Sequence, residues 1–175
     1  MKPMKYLIID DQLEHIKLPV RTLREAGHEV KTARHLDDGW RLIQHEREHP
    51  FDLVTLDLAL DRRSQEFAEE QQIIWGTSKI SGQGNDPYTS GQALGLRLWR
   101  RRRKMQQCYC YITQHRDYWM AQLDEEDPEF EQKASELRLK WIPELILDKS
   151  GLRANNVAEK LETAWKIWNN SGWLD

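Results

Sequence analysis

A parallel α/β sheet covered by helices on both faces is the architecture this sequence predicts, and three observations carry that prediction. Short apolar runs alternate with segments of helical period, five times along the chain. The runs are apolar on both faces instead of at every second residue, as in strands buried from both sides. The unusual polar residues Asp10, Asp11, Asp57, Thr113 and Lys149 all fall at or just past the carboxyl ends of such runs.

Residues 4–9 form the first apolar run, stopped by Asp10-Asp11. From Leu13 the apolar positions Ile16, Val20 and Leu23 recur at helical spacing until Gly27, a residue suited to a helix stop. Pro19 falls inside this helix and calls for an irregular first turn or a kink. Residues 28–33 alternate like a strand. Residues 36–48 return to helical period, with Trp40, Leu42 and Ile43 facing inward, and Pro50 ends them.

Residues 51–60 (FDLVTLDLAL) are the clearest strand, with Asp57 near its end. Residues 61–87 lose periodicity and gather Gly76, Gly82, Gly84, Asn85 and Pro87 around the anchor Ile73-Ile74-Trp75, which reads as an insertion carrying a hairpin. Residues 91–103 are helical again, and 108–113 (CYCYIT) form a fourth strand. Residues 116–142 contain two helix-like stretches, 117–123 and 129–141, on either side of an acidic run ending in Pro128. Residues 144–147 give a fifth strand. A last helix presents Val157, Leu161, Trp165 and Trp168 on one face.

The chain has 175 residues, a length that fits one domain of ~100–200 residues. Its 39% hydrophobic content and eight tryptophans supply a core, which excludes global disorder. No apolar run approaches the ~20 residues of a membrane span, and the N-terminus lacks a signal-peptide core. A cytoplasmic protein without membrane association is expected. Cys108 and Cys110 are the only cysteines, two apart in a strand and so on one face, which excludes a disulfide framework.

In an open parallel sheet, ligands bind beyond the carboxyl ends of the strands. One crevice there would collect the carboxylates of Asp10, Asp11 and Asp57, the hydroxyl of Thr113 and the ammonium of Lys149. Clustered acids repel each other unless a cation joins them, and oxygen-only ligands suit Mg2+. A carboxylate in such a crevice can act as the nucleophile on phosphorus.

The motifs IIDDQ at 8–12, LVTLDLAL at 53–60, SGQAL at 90–94, YIT at 111–113 and LDKSG at 147–151 follow one another at the strand ends. In this order they resemble the receiver domain of two-component response regulators, over nearly the whole chain. The resemblance implies a flavodoxin-like sheet of strand order 2-1-3-4-5 in a single domain spanning 1–175, with insertions at about 61–88 and 116–142 and no separate output domain. It implies Asp57 as the phosphoacceptor, and Mg2+ held by Asp10, Asp11, Asp57 and the backbone carbonyl of Ala59. Lys149 would pair with a phosphoryl oxygen, and Thr113 would swing its hydroxyl toward the phosphoryl group. The implied partners are a histidine kinase or phosphotransfer protein and a downstream protein, with a homodimer as another route of output.

Three positions depart from the family's pattern. Ser150 stands where a Pro usually follows the Lys, Ile146 where a switch aromatic sits, and Gln114 where a small residue follows the Thr. These departures favour a second reading, an adaptor that signals without phosphate. A third reading, a Mg2+-dependent phosphohydrolase, requires a base to activate water, and His115 is its candidate.

Other motifs have simpler explanations. His45-Glu46-Arg47-Glu48-His49 matches the H-E-x-x-H zinc pattern but occupies a helix end next to Pro50, and reads as a solvated terminus. The basic run Arg100 to Lys104 sits where a helix C-terminus favours cations. With a net charge of −3, direct nucleic-acid binding is not expected, and a docking surface for an acidic protein fits the run better. Gly82-Gln83-Gly84 lacks the flanking strand and helix of a phosphate loop.

Overall fold

The computed structural model describes residues 2–60, 64–77, 90–114, 116 and 142–175, with backbone only at 74–77 and 90. The described residues form five strands: β1 (Lys5–Ile9), β2 (Glu29–Ala33), β3 (Leu53–Asp57), β4 (Tyr109–Thr113) and β5 (Ile146–Asp148). They pair in parallel throughout, in the order β2-β1-β3-β4-β5. This is the order the motifs imply. Every residue of β3 and β4 is buried, whereas the edge strand β2 is only partly buried, so the all-apolar runs mark the centre of the sheet.

The helices are α1 (Lys17–Glu25), α2 (Leu36–His45), α3 (Ala68–Thr77), α4 (Ser90–Arg100), α5 (Arg102–Met105) and α6 (Val157–Ser171). A 3-10 turn at Leu13–Ile16 leads into α1 and leaves Pro19 in its first turn, where a missing N–H removes no helical bond. The lead-in is therefore irregular and the helix carries no internal proline. Gly27, at φ +89°, stops it, and its N–H donates to the Arg24 carbonyl. The last helix buries Val157, Leu161, Ala164 and Trp168, while Trp165 is half-buried. Trp168 donates its indole N–H to the Tyr109 carbonyl at 2.6 Å and packs edge-on against Trp99 and Trp173.

Cys108 and Cys110 are buried and free. Burial pushes the Cys108 thiol up to about 12 and the Cys110 thiol higher still, so both are inert small hydrophobes. Among the described residues no helix is long and apolar enough to cross a membrane.

Two sequence expectations need correction. The segment after β3 is not aperiodic loop, since Gln65–Phe67 form a 3-10 turn and α3 follows directly. The expected hairpin would fall on residues outside those described. The fifth strand runs Ile146–Asp148 because Pro143–Leu145 wind into a 3-10 turn with Pro143 at its start. Of the insertion at 116–142, all but Arg116 and Ile142 lie outside the described residues, as does the glycine pair at 82 and 84.

The helix α3 carries little apolar periodicity because of the way it docks. Arg97 of α4 is buried and donates to Glu70 Oε1 at 2.6 Å, to Glu66 Oε1 at 2.6 Å and to the Glu66 carbonyl. Its guanidinium also lies over the rings of Phe67, at 4.0 Å, and Trp40, at 5.0 Å. A helix held by two carboxylates on one arginine shows little apolar stripe. Removing the cation strands the Glu70 carboxylate in a nearly closed site, an error that typically costs several kcal/mol. Arg97→Met is expected to lower unfolding free energy by roughly 3 kcal/mol in urea titration. The triple change Arg97→Met, Glu66→Leu and Glu70→Leu is expected to restore most of that loss.

Candidate functional site

The sheet register sets the site. Ile9 pairs with Leu56, so Asp10, one residue on, reaches the level of Asp57. Asp57 pairs with Ile112 and Thr113 with Asp148, so Thr113 and Lys149 emerge successively higher toward the far edge. Asp10, Asp57, Thr113 and Lys149 are all buried, and Asp11 is half-buried.

The predicted acids converge. Carboxylate oxygens of Asp10, Asp11 and Asp57 lie within 4.8 Å of one another, the one such cluster of metal-type ligands among the described residues. Lys149 Nζ donates to Asp57 Oδ2 at 2.9 Å and stands 2.7 Å from Asp10 Oδ2. Asp57 Oδ1 accepts from the Ala59 N–H at 3.0 Å, and Asp10 Oδ1 accepts from the Gln12 N–H at 2.8 Å. Asp10 Oδ2 faces Lys149 as an ion pair but accepts no well-aligned hydrogen bond among the described residues.

Among the described residues, the Lys149 ammonium pairs with two of the three acids, Asp10 and Asp57, in the buried part of the site. Burial raises the Asp10 carboxyl to about 6, the Asp57 charge adds to that, and Lys149 works against it. Burial also opposes the Lys149 ammonium, but Asp57 and Asp10 outweigh it and hold the pKa above its ordinary value. The convergence of three carboxylates beside one ammonium and the all-oxygen donor set fit a hard divalent cation of the Mg2+ type.

Local supports explain why these side chains stand where they do. Asp148 Oδ1 accepts from the Ser150 N–H at 3.0 Å and from Ser150 Oγ at 2.7 Å, capping the 3-10 turn Lys149–Gly151. Ser150 thus fixes by hydrogen bonding a turn that proline would fix by its ring. Gly91, near the start of α4, lies so close to β3 that a Cβ there would sit 1.9 Å from the Asp57 carbonyl oxygen. Only glycine lets α4 approach the phosphoacceptor candidate this closely. Ile146, at the position of the usual aromatic, is fully buried.

Some residues outside the expected set also belong here. Gln114 Nε2 lies 2.9 Å from His15 Nδ1, a contact spanning 99 residues that no sequence spacing could signal. The Asp148-x-Ser150 pattern, an acid two residues before a hydroxyl, was a legible turn signal. For Ala59, the described contact is its amide on Asp57. His115, the base the phosphohydrolase reading requires, lies outside the described residues.

The zinc-like motif is not assembled. The helix α2 ends at His45, so His49 lies beyond it and off its face. Glu46 is committed to Lys5 and Lys31, and these hydrogen bonds hold its carboxyl down at about 2. The basic run closes α4 and forms α5, with Arg102 stacked on Trp99 at 4.2 Å and Arg101 over Trp40 at 5.6 Å.

No family model matches the chain, and no curated protein does. Solved structures do resemble it. A CheY-like response regulator receiver domain protein from Methanospirillum hungatei JF-1 superposes with a TM-score of 0.54 at 15% identity, over 98% of this chain and 100% of that one. The receiver domain protein from Clostridium thermocellum gives 0.50 at 17% identity, over 95% and 97%. The chemotaxis response regulator CheY4 of Vibrio cholerae gives 0.50 at 16% identity, over 93% and 99%. Five parallel strands in this order, with an acid cluster at their carboxyl ends, and these superpositions together show that the chain has the fold of CheY-like response-regulator receiver domains.

Proposed function

We propose that the chain is a response-regulator receiver that accepts a phosphoryl group on Asp57. The observation that carries this reading is the single Lys149 ammonium set between Asp57 Oδ2 and Asp10 Oδ2, with Asp11 completing the acid cluster. On this reading residues 1–175 are one receiver domain in the cytoplasm, with segments 61–88 and 116–142 inserted.

An Asp57 carboxylate oxygen attacks phosphorus on a phosphohistidine of a kinase or phosphotransfer protein. The P–N bond breaks, an acyl phosphate forms, and the imidazole leaves with its electron pair and takes up a proton. Asp10, Asp11 and Asp57, with the Ala59 carbonyl, would hold Mg2+, which supplies positive charge to the transferred oxygens when bound. Lys149 gives up its hydrogen bond to Asp57 Oδ2 for one to a phosphoryl oxygen. Thr113 donates its hydroxyl to another, and the resulting displacement of the strand end carries the signal to a protein partner. The downstream contact is made with another protein or a second copy of the chain. Ile146 supports the adaptor reading instead, because a buried aliphatic side chain has no ring to rotate outward.

Incubation with Mg2+ and acetyl phosphate, read by intact-protein mass, separates these readings. One added phosphoryl group on the unaltered chain, and none on Asp57→Asn, is the expected result. No gain on either chain, with Mg2+ binding demonstrated separately, favours the adaptor.

The raised Asp10 carboxyl gives a second prediction. The fold favours its protonated form, so its stabilising contribution is complete below the ordinary value of 3.8 and is lost as pH rises through about 6. Mg2+ competes with that proton. The Mg2+-induced rise in Tm is therefore expected to be small near about pH 5 and to grow toward about pH 8. Asp10→Asn is expected to flatten the metal-free decline and to abolish most of the Mg2+ effect, as read by scanning calorimetry.

A further inference from the structure

The geometry points to a gate over Asp57, formed by the side-chain bridge between His15 and Gln114. This inference rests on the phosphoacceptor reading for its consequence and on the sheet order for its placement. The strand β3 lies between β1 and β4, and Asp57 is its last residue. His15 belongs to the turn that follows β1, and Gln114 directly follows the last residue of β4. A bond between their side chains crosses the carboxyl end of β3.

Both ends of the bridge are tied to site residues. Asp10 Oδ1 accepts from the Gln12 N–H at 2.8 Å, and the Gln12 carbonyl accepts from the His15 N–H at 3.0 Å, so the main chain at His15 is tied through Gln12 to the acid cluster. Gln114 is continuous with buried Thr113. Gln114 Nε2 and His15 Nδ1 meet at 2.9 Å, and the amide donates when the imidazole carries its proton on Nε2. Both side chains are exposed, which places the bond at the mouth of the crevice and not in its floor. A donor approaching Asp57 must part this bond or pass beside it, and so must water approaching an acyl phosphate. His15 and Gln114 are thus positioning residues that set the rate of entry, while the chemistry stays with Asp57, Lys149 and Thr113.

Access can be measured without phosphoryl chemistry. Asp57→Cys places a thiol at the base of the crevice, and the native Cys108 and Cys110 are buried and held as thiols. Iodoacetamide alkylation of that thiol is expected to accelerate on the order of threefold when His15→Ala or Gln114→Ala is added, the weight of one neutral hydrogen bond. The two changes together are expected to give no more than either alone, and Gln114→Glu, which still pairs with an imidazole N–H, is expected to keep the slow rate. Unchanged rates in both alanine variants, or effects that multiply, would overturn the gate. In the chain that keeps Asp57, His15→Ala is expected to speed both phosphoryl uptake from acetyl phosphate and its later loss. That arm also decides the matter if Asp57→Cys fails to fold. Faster alkylation together with no phosphoryl uptake by the unaltered chain would leave the gate standing and remove the phosphoacceptor reading.

Discussion

A single ammonium group set between two buried carboxylates governs this structure. Lys149 leaves the edge strand β5, and its side chain reaches past β4 to Asp57 on β3 and to Asp10 beyond β1. One ion-pair system therefore ties together the carboxyl ends of strands that are remote in sequence. Taking such charges out of water is costly unless each finds its partner, and removing one partner leaves the others uncompensated. The arrangement therefore demands a register that brings Asp10 level with Asp57, and a turn at 149–151 that aims Lys149 inward. The parallel pairing supplies the first, and the Asp148 carboxylate, bonded twice to Ser150, supplies the second.

A second buried cation organises the part of the chain that the strand pattern does not. Arg97 binds Glu66 and Glu70 and lies against Phe67 and Trp40, so the segment following β3 is fastened to α4 and α2 by charge and by ring faces together. The fork of the guanidinium satisfies two carboxylates and a carbonyl at once, which an ammonium could not do in the same geometry. Because α4 also abuts Asp57 through Gly91, this clamp braces the site from behind.

The sheet and the acid cluster were legible in the sequence because each rests on a short-range signal. Strands buried on both faces read as unbroken apolar runs, and an acid ending such a run stands out, as Asp10 and Asp57 do. Where docking depends on charge, the signal fades, since Glu66 and Glu70 look like ordinary helix-surface residues until Arg97 is seen between them. The boundary of β5 moved for a local reason, the turn set by Pro143, which the apolar pattern of residues 144–147 obscured. The bond between His15 and Gln114 was illegible for a third reason. It joins two common surface residue types across 99 positions, and only the strand order brings them together.

The departures from the receiver pattern fall on the route by which a change at Asp57 would travel outward. With Ile146 in place of an aromatic ring, β5 holds a buried aliphatic side chain that has no polar tip to be drawn in or released. Ser150 keeps the Lys149 turn in place through two hydrogen bonds to Asp148, so that edge of the site is braced. Among the described residues, one connection from the crevice to the surface runs through Thr113 and Gln114 to His15, and from there along the turn into α1. Under the phosphoacceptor reading, movement of Thr113 toward a phosphoryl oxygen therefore acts first on the segment that begins α1. On that reading the first strand's acids and the fourth strand's hydroxyl share one output, because the bridge joins His15, whose main chain is tied through Gln12 to Asp10, to Gln114, which follows Thr113.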